Sequence, residues 1–461
     1  MAPPCGGRLP LDDRSTDRLL QPAALLRPGP PRRLDQIAQH AGLRGLHPVP
    51  IATTKRLADY AAIIGDRRYE ELRALAKAAA GRSMLHINAT AYGGGVAEIL
   101  QNLVPLLRDA GVDAHWAVLD APPAFYDITK KIHNALQGME LDLSEQEKEL
   151  FQEVARENAA QLTDADVILA HDPQAVALRH FAKDPRRATW VWRCHIDLTT
   201  AHQPVWSFLR PFVEEHDASI WTMPEFVRPD LKQKVLIQAP TIDPLSLKNQ
   251  DMPVSAARAI VRRWGLDIER PILVQVSRFD PWKDPLGVID AYRLVKVEVP
   301  GVQLVMIGSL ADDDPEGQEY LDRTRAHAHG DPDVFLFTNL DGVKDQEVNA
   351  FQRAATVVVQ KSLREGFGLV VAEALWKGVP VVAGKVGGIV IQIQDEVSGF
   401  LVTSVEEAAK CTLELLKDPA LRRGMADAGR ERVRDKFLIT RDLRDQLDLV
   451  SSLAAPTGRA S

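Results

Sequence analysis

The segment Ser362-Leu363-Arg364-Glu365-Gly366-Phe367-Gly368-Leu369 runs on to Glu373, so that seven residues separate two carboxylates. Gly366 and Gly368 leave a loop with no bulky side chain at its tip, and Leu369 to Lys377 reads as a short helix ended by Gly378. Glu365 then sits in the loop, and Glu373 lies about one turn inside the helix. Between Ala372, Ala374 and Leu375, Glu373 is expected to face a core, where a carboxylate is costly unless it finds donors. Ligand hydroxyls would supply them. The loop amides before the helix point outward at the positive end of its dipole, a site suited to phosphate oxygens. A hydroxyl-binding acid, a phosphate cradle and a second acid nearby describe a sugar nucleotide. The competing reading is a surface acid in a loop and a helix acid in a salt bridge.

Arg278 and Lys283 lie in Ser277-Arg278-Phe279-Asp280-Pro281-Trp282-Lys283-Asp284-Pro285, at the carboxyl end of an expected parallel strand, where ligands of such sheets sit. A planar fork and a point charge are the complementary pair a diphosphate needs. The alternative is that both bases pair with Asp280 and Asp284 on a solvated loop. Gly93-Gly94-Gly95, between a strand and a helix, permits close backbone approach by an anionic or sugar group, or simply makes a tight turn. It lacks the G-x-G-x-x-G order of a dinucleotide site. His195 follows the strand Trp190 to Cys194, with Asp197 two residues on, and can offer a ring nitrogen or its carbonyl to a sugar, or cap the sheet. His171 and Asp172 follow another strand in the same way. With Asn88 and Asp197 they are the candidates for holding acceptor hydroxyls; the alternative for His171 and Asp172 is that they close a turn.

These residues need a scaffold that brings strand ends together, and the chain alternates accordingly. Short apolar runs at Met84 to Ala89, Ala114 to Leu119, Asp166 to Ala170, Thr189 to Cys194 and Ala218 to Thr222 alternate with helical periodicity in the first half. Prolines at 240 and 244 and the polar stretch Leu247 to Val254 mark an interdomain linker. A second series follows, with strands at Pro271 to Val276, Val302 to Ile307, Val334 to Phe337, Thr356 to Val359 and Val379 to Ala383. The expected class is α/β, with two doubly wound, Rossmann-like domains facing a cleft. The expected boundaries are a poorly ordered tail over 1–47, an acceptor-side domain over 48–245, a nucleotide-sugar domain over 246–433, and a C-terminal helix and tail over 434–461. That helix can fold back on the first domain.

The chain has 461 residues, 45% hydrophobic and 26% charged, which is ordinary for a globular protein and long enough for two cores. A formal charge of −7 gives no basic footprint for nucleic acid or an anionic membrane surface. Cys5, Cys194 and Cys411 fit neither a disulfide framework nor a zinc site. No run resembles a signal peptide or a membrane span, so a cytoplasmic location is expected. G-x-S-x-G, H-E-x-x-H and Walker motifs are absent.

On these residues the chain resembles the retaining, two-domain GT-B glycosyltransferases of the glycogen-synthase-like and sucrose-synthase-like family 4. Glu365 and Glu373 match its E-x7-E arrangement and Arg278 and Lys283 its donor loop. More closely, His86 to Glu98, Trp192 to Asp197 and Ser362 to Leu369 are similar to the trehalose glycosyltransferring synthases, which reversibly join glucose from a nucleoside diphosphate sugar to free glucose. The resemblance implies that Glu373 holds ribose hydroxyls, Glu365 the donor sugar, and Arg278 and Lys283 the diphosphate, while His195 approaches the transferred glucose. It places Gly94, Gly95, Gly366, Phe367, Gly368 and Leu369 around the donor, and makes Glu365, His195, Arg278 and Lys283 the catalytic set. The implied partners are a nucleoside diphosphate glucose and glucose or trehalose, with a homodimer as a candidate assembly. No metal site or required cofactor is expected, and Mg2+ enters at most as a stimulant. Fungal-type trehalose phosphorylases resemble the same motifs, so phosphate is the alternative glucose carrier. Other readings are a family 4 transferase with a different acceptor, a sugar-nucleotide-binding regulatory protein, and, least, a dinucleotide oxidoreductase. The preferred nucleotide among ADP, UDP and GDP is left open.

Overall fold

The computed structural model describes residues 45–453, except Ala52, Gly93 and 311–314; of the tail expected over 1–47, residues 1–44 lie outside the described residues. Strands of Val, Ile, Leu and Trp buried on both faces can satisfy their backbone only in central, covered sheets. Two such sheets form. The first joins β1 (His47–Pro48), β2 (Ser83–Asn88), β3 (Asp113–Val118), β4 (Val167–His171), β5 (Thr189–Cys194), β6 (Ala218–Trp221) and β7 (Lys234–Ile237). Its order is β1-β3-β2-β4-β5-β6-β7, parallel throughout except where β1 pairs antiparallel with β3. The sheet therefore begins at His47, inside the segment read as a tail.

The second sheet is parallel and six-stranded. It joins β8 (Ile272–Val276), β9 (Gln303–Gly308), β10 (Val334–Thr338), β11 (Val357–Gln360), β12 (Val381–Gly384) and β13 (Phe400–Val402) in the order β10-β9-β8-β11-β12-β13. Five helices matter for the cleft: α1 (Asp66–Ala79), α2 (Gly95–Asp109), α3 (Pro123–Leu136), α4 (Leu369–Trp376) and α5 (Ile439–Leu453). Helix α2 carries Ile99, Leu100, Leu103, Val104 and Leu107 on its buried side, the stripe its spacing predicts. Among the described residues no helix is long and apolar enough to cross a membrane.

The chain crosses between the sheets twice, and the crossings are hydrogen-bonded to each other. Ile242 N donates to Phe437 O and Ile439 N to Ile242 O, both at 2.8 Å. Beyond them α5 packs on α1 and α2 of the first half. One charge sets its placement. Arg193 on β5 is 2% exposed and needs an anion, since an unpaired buried cation is costly. Asp442 on α5 is 0% exposed and lies 3.3 Å from its Nη1. Burial would raise the Asp442 carboxyl, but Arg193 and Arg441 outweigh it and hold it below the usual range. Gln446 Nε2 donates to the same carboxylate at 3.1 Å and Thr241 Oγ1 at 3.4 Å.

Removing one member of a buried pair strands the other. Asp442→Ala is accordingly expected to destabilise the fold by about 3–5 kcal/mol, read as a lower urea midpoint; an unchanged midpoint would show that α5 is held by its apolar face alone.

Candidate active site

The loop after β11 supplies one wall of the cleft. Glu365 Oε2 accepts from Lys283 Nζ at 2.7 Å, with Ser362 Oγ 3.4 Å from the same oxygen. Lys283 ends a one-turn 3-10 segment after β8, whose cap Asp280 accepts from the Lys283 amide at 3.1 Å. The two side chains are 16% and 11% exposed, so their attraction is little screened. Arg278, from the same loop, is 59% exposed and pairs with Asp280 at 3.1 Å. The loop-acid alternative therefore holds for Arg278 and fails for Lys283. Asp284 holds Lys361 instead, a buried cation that the sequence reading did not single out.

Facing these bases, His133 on α3 is held down to about 4, first by burial and then by the cations of Arg278 and Lys283. A neutral imidazole thus borders the two ion-paired bases. His133 was also unread, because nothing in its helix distinguishes it until the second half of the chain is set opposite.

Backbone approach shapes the loop. Gly368, with φ of 80°, begins α4 in a left-handed conformation and no side chain caps the helix, which leaves its first amides open. A Cβ on Gly366 would lie 2.4 Å from the carbonyl oxygen of His195, so the two walls touch through main chain. Gly387, also unread, would bring a Cβ to 1.7 Å from Glu365 O, and the Gly388 amide donates to that oxygen at 3.2 Å. Phe367 is buried and packs on Phe437 at 5.5 Å, taking a structural position behind the loop. Arg364 crosses the cleft to Thr200 Oγ1 at 2.8 Å and to the Gln137 carbonyl, while its guanidinium lies 5.3 Å from the Trp282 ring.

Glu373 is 0% exposed, and neither of its oxygens has a hydrogen bond. Lys248 Nζ lies 3.5 Å from Oε1 and donates to Glu98 Oε2 on α2 at 2.8 Å. Burial raises the Glu98 carboxyl, against the opposing pull of Lys248. Lys377, pushed down to about 7 by burial, donates to Asn249 Oδ1 and Gln352 Oε1, each at 2.7 Å. The segment expected to be a simple polar linker thus delivers Lys248 to the cleft and buries Asn249 completely. Gly95 faces the same place: a Cβ there would be 3.3 Å from Leu369 Cδ1, whereas one on Gly94 would meet nothing within 4 Å. Gly93 lies outside the described residues.

On the wall of the first sheet, several expected acceptor residues also brace their own loops. Asn88 donates to Thr90 O and accepts from Trp116 Nε1, both at 2.7 Å. Asp197 Oδ1 accepts from Thr199 N at 2.9 Å and its hydroxyl at 2.6 Å. Asp172, at φ 59°, accepts the His195 amide at 2.8 Å, and burial pushes its carboxyl up to about 7. His171 Nδ1 is 3.1 Å from His195 Nε2. Glu365 and Lys283 are therefore paired, the adjoining Gly366 abuts the His195 carbonyl, Arg278 is exposed beside Asp280, and Glu373 lies in a cluster with Lys248 and Glu98.

Residues 86–228 match the family described as trehalose synthase, N-terminal domain, and 257–432 match glycosyl transferases group 1. The chain is similar to a trehalose synthase of Rubrobacter xylanophilus, 49% identical over 87% of this chain and 97% of that one. It is more distantly similar to a trehalose phosphorylase of Pleurotus pulmonarius, 29% identical over 76% of this chain and 54% of that one. In fold it resembles a UDP-forming α,α-trehalose-phosphate synthase from Burkholderia xenovorans, with a TM-score of 0.64 at 14% identity, covering 79% of this chain and 98% of that one.

Because the walls meet through Gly366 and the His195 carbonyl, Gly366→Ala is expected to wedge the cleft apart. Catalytic efficiency should fall about a hundredfold with an unaltered circular dichroism spectrum; full activity would mean that the contact is not part of the working geometry.

Proposed function

The chain belongs to the trehalose synthase family of glycosyltransferases, and from that premise we propose that it moves glucose reversibly, with retention, from a nucleoside diphosphate glucose to free glucose, giving trehalose. The observation that carries the nucleotide part is Glu373, a sealed carboxylate with neither oxygen hydrogen-bonded. Vicinal ribose hydroxyls are the donors such a group lacks. Inorganic phosphate carries no such pair.

The open amides of α4 and the bases Arg278 and Lys283 suit the diphosphate, and Glu365 orients the donor glucose. Glu365 is already neutralised by Lys283, which favours binding over nucleophilic attack. The acceptor oxygen then approaches C1 on the face the diphosphate leaves. The C1–oxygen bond to phosphate breaks as the new glycosidic bond forms, and the acceptor proton passes to the departing phosphate oxygen. Lys283, Arg278 and the helix amides stabilise the charge that develops there. Closure through Gly366 and Arg364 keeps out water, which would otherwise take the glucose. The proposal invokes no cofactor; Mg2+ would accompany only the diphosphate. Work in the cytoplasm belongs to the same proposal.

A phosphorolytic reaction is the second reading, favoured by the likeness to the Pleurotus trehalose phosphorylase. Incubating the protein with trehalose and ADP, UDP, GDP or inorganic phosphate separates the two. A sugar nucleotide is the expected product; glucose phosphate formed with inorganic phosphate alone would overturn the proposal.

Lys283→Ala should lower kcat by about 10²–10³ and, because it strands the Glu365 carboxylate, also lower the melting temperature. Undiminished turnover at saturating donor would remove Lys283 from the mechanism.

A further inference from the structure

Three histidines form an unbroken chain behind the cleft. His86 Nδ1 lies 3.1 Å from His171 Nε2, and His171 Nδ1 lies 3.1 Å from His195 Nε2. The ring planes differ by 31° and 13°, so the in-plane lone pairs and N–H bonds can align. Strand register builds the chain. His86 pairs with Leu169 on β4 and His171 stands two residues beyond it; His171 pairs with Arg193 on β5 and His195 stands two residues beyond that. Because side chains alternate faces with period two, the three rings share one face and step diagonally towards the carboxyl ends.

The ends of the chain differ. His86 Nε2 is sealed from solvent without a partner, while His195 Nδ1 has no protein partner among the described residues and is not sealed. A neutral imidazole has one donor and one acceptor, so all three rings must point the same way. If the chain donated inward, the N–H of His86 would be lost in the core. If it donates outward, only a lone pair is buried there, and the last N–H reaches the open end. Unpaired buried donors are the rarer of the two in folded proteins.

We propose that His86 and His171 are positioning residues that fix His195 as the tautomer protonated on Nδ1, a hydrogen-bond donor available to a glucosyl or acceptor hydroxyl in the cleft. The sugar assignment rests on the transferase reading; the tautomer does not. Asp172 holds the other side of His195 through its backbone amide at 2.8 Å. Burial keeps His86 at about 4 and the other two well below their ordinary value. The charged groups facing them are Arg193, which pushes them further down, and Asp442, which opposes it at His86 and His195. Below the ordinary value of about 6.5, the rings therefore stay neutral and the chain stays intact.

The test is two-bond proton–nitrogen NMR of histidine-labelled full-length protein without substrates, with His195 assigned by His195→Gln. The wild type should show His195 protonated on Nδ1 and not titrating between pH 8 and about 5.5. His171→Phe should remove the hydrogen bond to Nε2 and let His195 change tautomer, with kcat/KM at pH 7.5 falling about ten- to a hundredfold and donor KM changing less than about twofold. Should that variant not fold, His86→Leu removes the first donor and should also release the His195 tautomer, whereas His86→Asn supplies an amide N–H in its place and should restore the wild-type spectrum. A His195 protonated on Nε2 in the wild type, or left unchanged in His86→Leu, would overturn the relay even in a protein that makes trehalose. An intact relay in a protein that yields only glucose phosphate would overturn the nucleotide reading alone.

Discussion

Charge withdrawn from water must be neutralised by charge from another part of the chain, and this constraint organises the molecule. Lys283 and Glu365 are 82 residues apart in sequence, Lys248 and Glu98 150, and Arg193 and Asp442 249. Each partner would be costly to bury if the other were removed. The first pair joins two loops of the second sheet, Lys248 between Glu98 and Glu373 ties the first half to the second, and Asp442 ties the returning α5 to β5, so charges at the candidate site and charges that set the domain geometry lie close together. Apolar contacts such as Phe367 on Phe437 fill the seam but select its alignment less sharply.

The fold was legible because buried parallel strands are written as continuous apolar runs, and helix α2 as a stripe. β7 was missed because Lys234 to Ile237 is only half covered and so lacks that signature. α3 and the helix Glu145–Ala159 were passed over, although Ser144 and Glu147 form a capping box that could have flagged the latter. At the site, the spacing of Glu365 and Glu373 and the loop holding Arg278 and Lys283 could be read locally. Lys248, His133 and Lys361 could not, because their role comes from what lies opposite them. The polar stretch around Lys248 looked like a linker by composition, and composition does not record that Asn249 is wholly buried.

The histidine chain marks the boundary of that legibility. His171 and His195 were each visible as polar residues at strand ends, but their connection through His86 depends on strand order and register. Adjacent β2, β4 and β5 had to be known before a two-residue stagger could be seen as one diagonal row. Asn88 and one oxygen each of Asp172 and Asp197 also hold neighbouring loop groups in place.

The return of α5 to the first sheet gives the molecule a stitched topology: the boundary in space is not a boundary in sequence. A gene fusion that exchanged everything after the connector would discard the anion that Arg193 requires. A chimera that grafts a new second half must instead keep residues 439–453 from the parent that supplies β5. Recombination between relatives is thereby restricted to breakpoints that come in pairs.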